Sequence, residues 1–239
     1  MTSPAQDALT WDPARDTDLL REATDRLLTA VAKLDDATVE APSLLPGWTR
    51  GHVLAHLARN ADALVNVLAG RPMYASAAAR DADIEAGAPR PLAAQLEDVT
   101  ATAHRLDGAF AAQSEESWRR TVELRNGVRD TAAALPFRRW IEVDLHHVDL
   151  GIGYTLDDLP GTFVDRELEN MVRRFAGHPD LTGGIELRAE DGRTWRTGAP
   201  GGDPVVVTGS PVALMGWLTG RTTGSGLSAD APLPVLPTL

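Results

Sequence analysis

The sequence predicts an α+β protein in two parts, a four-helix bundle followed by a small α+β domain. Three observations carry this. In four separate stretches before Gly151, apolar residues recur at three- and four-residue steps, the spacing of one helix face. A segment rich in glycine and turn formers, GIGYTLDDLPG from Gly151 to Gly161, then interrupts the pattern. Beyond it the texture changes to short β-rich runs bounded by turn residues. This divides the chain into residues 1–155 and 156–239.

Each element has a local reason. Residues 1–16 read as a polar lead-in. From Asp18 to Asp35, the residues Leu20, Ala23, Leu27, Val31 and Leu34 line one face of a first helix. The turn-rich APSLLPG follows. Thr49 is suited to N-cap a second helix running to about Leu68, with Trp48 and Val53 at the positions of a hydrophobic staple, and Gly70-Arg71-Pro72 ends it. Residues 72–90 are a long connection containing a short helix. Pro91 opens a third helix to about Phe110, with Leu92, Leu96, Val99, Ala103 and Leu106 on one face. Residues 117–130 alternate weakly around Asn126-Gly127, a short hairpin or an extended loop. The fourth long helix spans about Ala132 to Leu150, with Pro136 at a kink or near its start.

In the second part, a helix from Phe163 to Phe175 precedes strands at Gly184 to Ala189, Arg193 to Thr197 and Asp203 to Thr208. The first two strands flank an Asp191-Gly192 turn. Ser210 as N-cap and Pro211 at the first helical position start a last helix, which Gly220 ends before Arg221. The Pro-rich tail, ADAPLPVLPTL, reads as extended.

Composition narrows the function. A formal net charge of −11 argues against nucleic acid or an anionic membrane as partner, without opposing a local arginine pocket for an anionic small molecule. The chain has no cysteine, which excludes disulfides, thiolate-held zinc and a protein thiol nucleophile, so any thiol chemistry needs a thiol cosubstrate. No apolar run approaches membrane-spanning length and the N-terminus lacks a signal-peptide pattern, so the expected location is the cytoplasm and the expected state a monomer.

Four of the six histidines fall in two short segments, WTRGHVLAHLARN and RRWIEVDLHHVD. Glu142 and His146 are four residues apart, as are His52 and His56, so helical geometry stacks each pair on one face. A carboxylate–imidazole pair from one helix plus a third ligand, His52 or His56, from another makes an open three-ligand metal site in a bundle. His147 is turned about a hundred degrees away, with Asp144 as its expected partner. Taken as residues alone, these histidines are equally readable as half-buried hydrogen-bonding groups. Asn60 lies one turn beyond His56 and can reach the same cavity. Arg138, Arg139 and Arg221 are candidates for gripping carboxylates through two parallel hydrogen bonds, while Arg221 is also placed to cap the last helix. No phosphate-binding glycine loop or nucleophile elbow is present.

With those residues in place, the chain resembles the mycothiol-dependent maleylpyruvate isomerases, a branch of the DinB-like superfamily of metal-binding four-helix bundles. The resemblance covers nearly the whole chain. It rests on SLLPGWTRGHVLAHLARNADAL, PMYASAAARDADIEAG, EVDLHHVDLG and the stretch from VVVTGS to TGR around Arg221. It implies one zinc ion held by His56, Glu142 and His146, and gives His52 no ligand role. It also implies a catalytic part for Arg221, with the second domain closing over the bundle site, and matches Arg139 to a family arginine one turn before the glutamate; with Asn60, placed by its spacing from His56, Arg139 is a cofactor-binding candidate. The implied reaction uses mycothiol as thiol cosubstrate. Its thiolate adds to the cis double bond of a small dicarboxylate, maleylpyruvate; rotation and elimination then give fumarylpyruvate. A mycothiol S-transferase conjugating other electrophiles needs the same activated thiolate, and a bundle retained as a binding module needs no open metal position. Ile141 to Asp144 replace the more basic and aromatic flanks expected of the family, which bears on substrate detail.

Overall fold

The computed structural model describes residues 11–238, which divide between Tyr154 and Thr155 into two compact units. Most of the expected lead-in lies outside the described residues. Helix α1 (Pro13–Val31) begins ahead of Asp18, because the Asp12 carboxylate accepts from the Arg15 N–H at 3.1 Å and Pro13 needs no N–H at the first position. After a single helical turn, α2 (Asp36–Glu40), comes α3 (Arg50–Leu68). As expected, Thr49 caps α3, but the reciprocal partner is His52. The Thr49 side chain accepts from the His52 N–H, and His52 Nδ1 accepts from the Thr49 N–H at 3.2 Å.

The connection through residues 72–90 contains α4 (Ala77–Gly87), followed by α5 (Leu92–Ala111). The buried face of α5 is Gln95, Val99, Thr102, Leu106 and Phe110. It is rotated from the expected stripe because Gln95 is drawn inward to bind the carbonyls of Ala88 and Arg90, both at 2.9 Å. Helix α6 (Glu115–Arg119) leads into a short hairpin, β1 (Thr121–Glu123) with β2 (Arg129–Thr131), turning at Asn126-Gly127. A 3-10 turn at Ala132–Ala134 then enters α7 (Leu135–Asp149), so Pro136 lies in the first turn and makes no kink.

Helices α1, α3, α5 and α7 form the bundle: α3 packs on α5 and α7, and α1 packs on α7 and α5. Leu27, Val53, Leu57, Leu106, Phe137 and Trp140 fill its core. Arg50, in the first turn of α3, fixes the register of α3 against α7. Its guanidinium donates to the carbonyls of Leu150 at 2.7 Å, Gly151 at 3.1 Å and Thr38 at 3.2 Å. The carbonyls freed at the end of α7 are therefore satisfied by the start of α3. Helix α4 lies on α3 through small residues: a Cβ at Gly51 would stand 2.2 Å from the Ala88 oxygen, and one at Gly87 2.8 Å from the Ala55 Cβ.

In the C-terminal unit, α8 (Gly161–Phe175) precedes β3 (Gly184–Ala189), β4 (Thr194–Gly198) and β5 (Val205–Gly209), and then α9 (Pro211–Leu218). As expected, Ser210 caps α9 and Pro211 opens it. The sheet order is β4-β3-β5-β6, with β3 and β5 parallel and the outer pairs antiparallel. The edge strand β6 (Ser228–Ala229) falls in the segment read as extended tail. Its two residues carry no alternation, and its register is set by the Asp230 carboxylate, which accepts from the Val206 N–H at 2.9 Å.

Removing the Arg50 fork leaves the Leu150 and Gly151 carbonyls short of a donor, while the Thr38 carbonyl keeps the Ala41 N–H. Arg50→Ala is expected to cost about 2 kcal/mol of stability, read as a lower midpoint in urea with an unchanged denaturant slope.

Candidate metal centre

Helices α3 and α7 run antiparallel where they touch. His56 on α3 reaches Glu142 on α7, and Asn60, one turn later, reaches Arg139, nearly one turn earlier. His56, Glu142 and His146 are thereby brought together. His56 Nε2 lies 2.9 Å and His146 Nε2 3.2 Å from the same oxygen, Glu142 Oε2, and the three donor atoms lie within 4.8 Å of one another. In a tetrahedral site with bonds of about 2.0–2.1 Å, neighbouring ligand atoms sit roughly 3.3 Å apart. The cluster is close to that arrangement.

The hydrogen bonds behind the cluster sharpen the fit. His146 Nδ1 lies 2.8 Å from the buried Asp149 carboxylate, which holds the ring and keeps its proton on that side. Its Nε2 lone pair then faces another carboxylate, an arrangement that only a second proton or a cation reconciles. Burial acts to lower the His146 pKa, but the bonds to Asp149 and Glu142 outweigh it and raise it above the ordinary imidazole value. Burial acts to raise the Glu142 carboxyl, but hydrogen bonds and charge from His146 and His56 hold it well below the usual range. His56 is lowered by burial, with Glu142 pulling the other way. Two neutral imidazoles and one carboxylate suit a divalent cation of zinc type.

The remaining predicted residues fall into separate roles. Asn60 and Arg139 are buried together, with Arg139 Nη1 donating to Asn60 Oδ1 at 2.8 Å. Burial lowers Arg139 to about 10 against the pull of Glu142, so the guanidinium is still charged at neutral pH. His52 belongs to the helix cap, and its Nε2 lies 3.3 Å from Glu85 Oε2. Trp48, expected to staple against Val53, lays its ring against His52 and His56, with centroids 6.1 and 5.6 Å apart. Asp144 is not the partner expected for His147. It accepts from Trp140 Nε1 at 2.6 Å and from Arg26 at 3.2 Å, while His147 stacks flat on Tyr154 at 3.9 Å. Arg138 is engaged with Asp130 at 2.6 Å. Arg221 belongs to the C-terminal unit, where its backbone N–H reaches the Gly216 carbonyl and Nη1 donates to the Thr219 carbonyl, both at 2.8 Å.

Arg80 is the residue the sequence did not single out. Its side chain is 12% exposed, its Nη2 donates to His56 Nδ1 at 3.2 Å, and its guanidinium lies 5.8 Å from the centre of the Tyr74 ring. In sequence it sits on an Ala-rich polar helix 24 residues from His56, a context with no chemical signature. Only the packing of Gly51 and Gly87 that lays α4 on α3 makes it part of the site.

Proton competition sets the pH behaviour. A raised His146 value means that the protonated ring stabilises the metal-free fold at low pH, a contribution lost as pH rises through the folded pKa. Cation binding works in the opposite sense, because the proton must leave. The zinc dissociation constant is therefore expected to weaken about tenfold per pH unit below the His146 pKa, measured with a competing chelator. His56→Ala is expected to lose the metal, whereas His52→Ala is expected to keep one zinc per chain and lose about 1 kcal/mol of helix-cap stability.

The chain matches two family models. Residues 20–151 match the mycothiol maleylpyruvate isomerase N-terminal domain, and residues 158–238 match the MDMPI C-terminal domain. Among solved structures it resembles a crystal structure of a mycothiol-dependent maleylpyruvate isomerase at 29% identity, and one of a histidine-to-alanine variant of such an enzyme at 28%. Both have a TM-score of 0.86 and cover 95% of this chain and 97% of the other. No curated protein sequence shows significant similarity to the chain. Among the described residues, no helix is long and apolar enough to cross a membrane.

Proposed function

We propose, from the premise that this chain belongs to the mycothiol maleylpyruvate isomerase family, that it converts maleylpyruvate to fumarylpyruvate with mycothiol as thiol cosubstrate. The observation that supports this most directly is the convergence of His56, Glu142 and His146 on one point in a chain without cysteine. Three protein ligands leave a position for a thiol that the protein itself does not supply.

A carbon–carbon double bond does not rotate at a useful rate until it becomes single. In this reading the thiolate sulfur adds to the conjugated cis alkene, forming a C–S bond and moving the electron pair onto the carbonyl oxygen as an enolate. Rotation follows; the enolate then returns its pair and expels the thiolate, which regenerates the cosubstrate. When zinc is bound by His56, Glu142 and His146, it supplies the Lewis acidity that lowers the thiol pKa. The residues of the chain bind and orient. Arg80 offers a guanidinium beside His56 for a substrate carboxylate. An imidazole engaged through Nε2 keeps its proton on Nδ1 and no longer accepts from Arg80, which frees that N–H for the substrate. Asn60 and Arg139 serve on the cosubstrate side, where the buried positive charge favours a thiolate over a thiol. Arg221 is assigned a substrate carboxylate or the developing enolate.

The test follows maleylpyruvate loss with zinc-loaded protein, with and without mycothiol, while free thiol is tracked. Conversion that needs mycothiol and leaves free thiol constant is the expected result; conversion that consumes thiol identifies an S-transferase. Arg221→Ala is expected to retain zinc and lose about a hundredfold or more in kcat/KM. Unchanged kinetics would return Arg221 to its helix-end role.

A further inference from the structure

A cavity of about 570 Å3 opens between the end of α3, the loop at 70–77 and the β1–β2 hairpin. Its position relative to the metal ligands is informative. Tyr74 forms part of its wall and also lies against Arg80, which bonds to His56. The cavity thus ends two side chains from the three donor atoms. Ala77, on its rim, begins the helix that carries Arg80.

The lining is chemically mixed. Ser76, Thr121 and Asn126 offer hydroxyl and amide groups, and Tyr74 offers an aromatic face. Asn126 is held at φ 60°, in the left-handed region that asparagine tolerates. Arg120 spends Nη2 on the Leu68 carbonyl, while its buried Nε has no hydrogen-bond partner. The cavity wall therefore contains an unused donor. Across the cavity, the Arg125 N–H meets Met73 Sδ at 3.2 Å, a weak contact that closes one loop on the other.

Two ligands have to reach the neighbouring centre under the function proposed above, and this inference rests on that reading. A seven-carbon diacid is small and needs fixed guanidinium forks. Here Arg71 and Arg125 are solvent-exposed and Arg120 is already half engaged, so the cavity is poorly built for two carboxylates. Mycothiol carries its thiol on an uncharged pseudo-disaccharide of glucosamine and inositol, which needs volume, many hydrogen-bond groups and an aromatic face. Ligand pockets for molecules of that size are typically about 300–1,000 Å3.

We infer that this cavity binds the polyol body of the thiol cosubstrate, with Tyr74 marking the passage along which the cysteinyl arm reaches His56, Glu142 and His146. The polyol is then recognised away from the reacting atoms. Its binding energy is available to position the sulfur.

The experiment uses the zinc-loaded full chain and a probe that cannot react, the acetylated glucosaminyl-inositol without its cysteinyl group. Binding is measured by calorimetry, with sucrose as a general sugar control. Ala77→Trp fills the cavity from the α4 side and Thr121→Trp from the strand side, neither removing a helix cap. The expected result is binding of the probe but not of sucrose, weakened at least tenfold in both variants, with a matching rise in KM for mycothiol and zinc content intact. Absence of binding to the unmodified protein, equal binding of sucrose, or equal probe affinity in both variants overturns the inference. So does a rise in KM for maleylpyruvate in place of that for mycothiol. The readout is independent of turnover: probe binding without thiol-dependent conversion would sink the proposed reaction and leave the polyol site standing. Conversion without probe binding would do the reverse.

Discussion

The packing of α3 against α7 is the constraint on which the N-terminal unit depends. Arg50 fixes their register by binding the two carbonyls that follow α7, and two hydrogen bonds, His56 to Glu142 and Asn60 to Arg139, follow from that register. A slip of one residue would turn His56 about a hundred degrees from Glu142, since each helical residue advances by that angle. The same packing therefore fixes the helix register and brings the donors together.

Charge is arranged against the overall balance of the chain. A protein with a formal net charge of −11 places two arginines, Arg80 and Arg139, in or beside a site lined by Glu142 and Asp149. Burying these cations costs free energy, and each is held by hydrogen bonds that partly offset it. The result is a pair of guanidinium groups set against buried carboxylates in an acidic molecule. Asp149 acts one step further back, setting the proton on His146 and hence the direction of its free nitrogen.

Small residues carry as much of the site as charged ones. Gly51 and Gly87 allow α4 to approach α3 closely, and that approach sets Arg80 against His56. The loop before α4 bears Tyr74, which lies between Arg80, at the His56–Glu142–His146 cluster, and the neighbouring cavity. The site is thus built by two bundle helices and one additional helix, with the long α3–α5 connection contributing side chains.

Local chemistry alone settled much of this protein. The helix caps at Thr49 and Ser210, the turn at Asn126-Gly127 and the face shared by Glu142 and His146 all arise within a few residues, where spacing and residue type decide the outcome. The change of texture after Gly151 also marks the division into two units. Residues alone left His52 and His56 equal as ligands, because both lie on one face at the same helical spacing; only the resemblance to a family separated them. Tertiary structure gives the physical reason: His52 is consumed by the helix cap, and the antiparallel crossing of α7 meets α3 one turn later. Arg80, the pairing of Asp144 with Arg26, and the strand at Ser228–Ala229 were decided by packing over longer sequence separations. No local periodicity records such contacts, since what fixes them is the surface each element meets and not its own pattern.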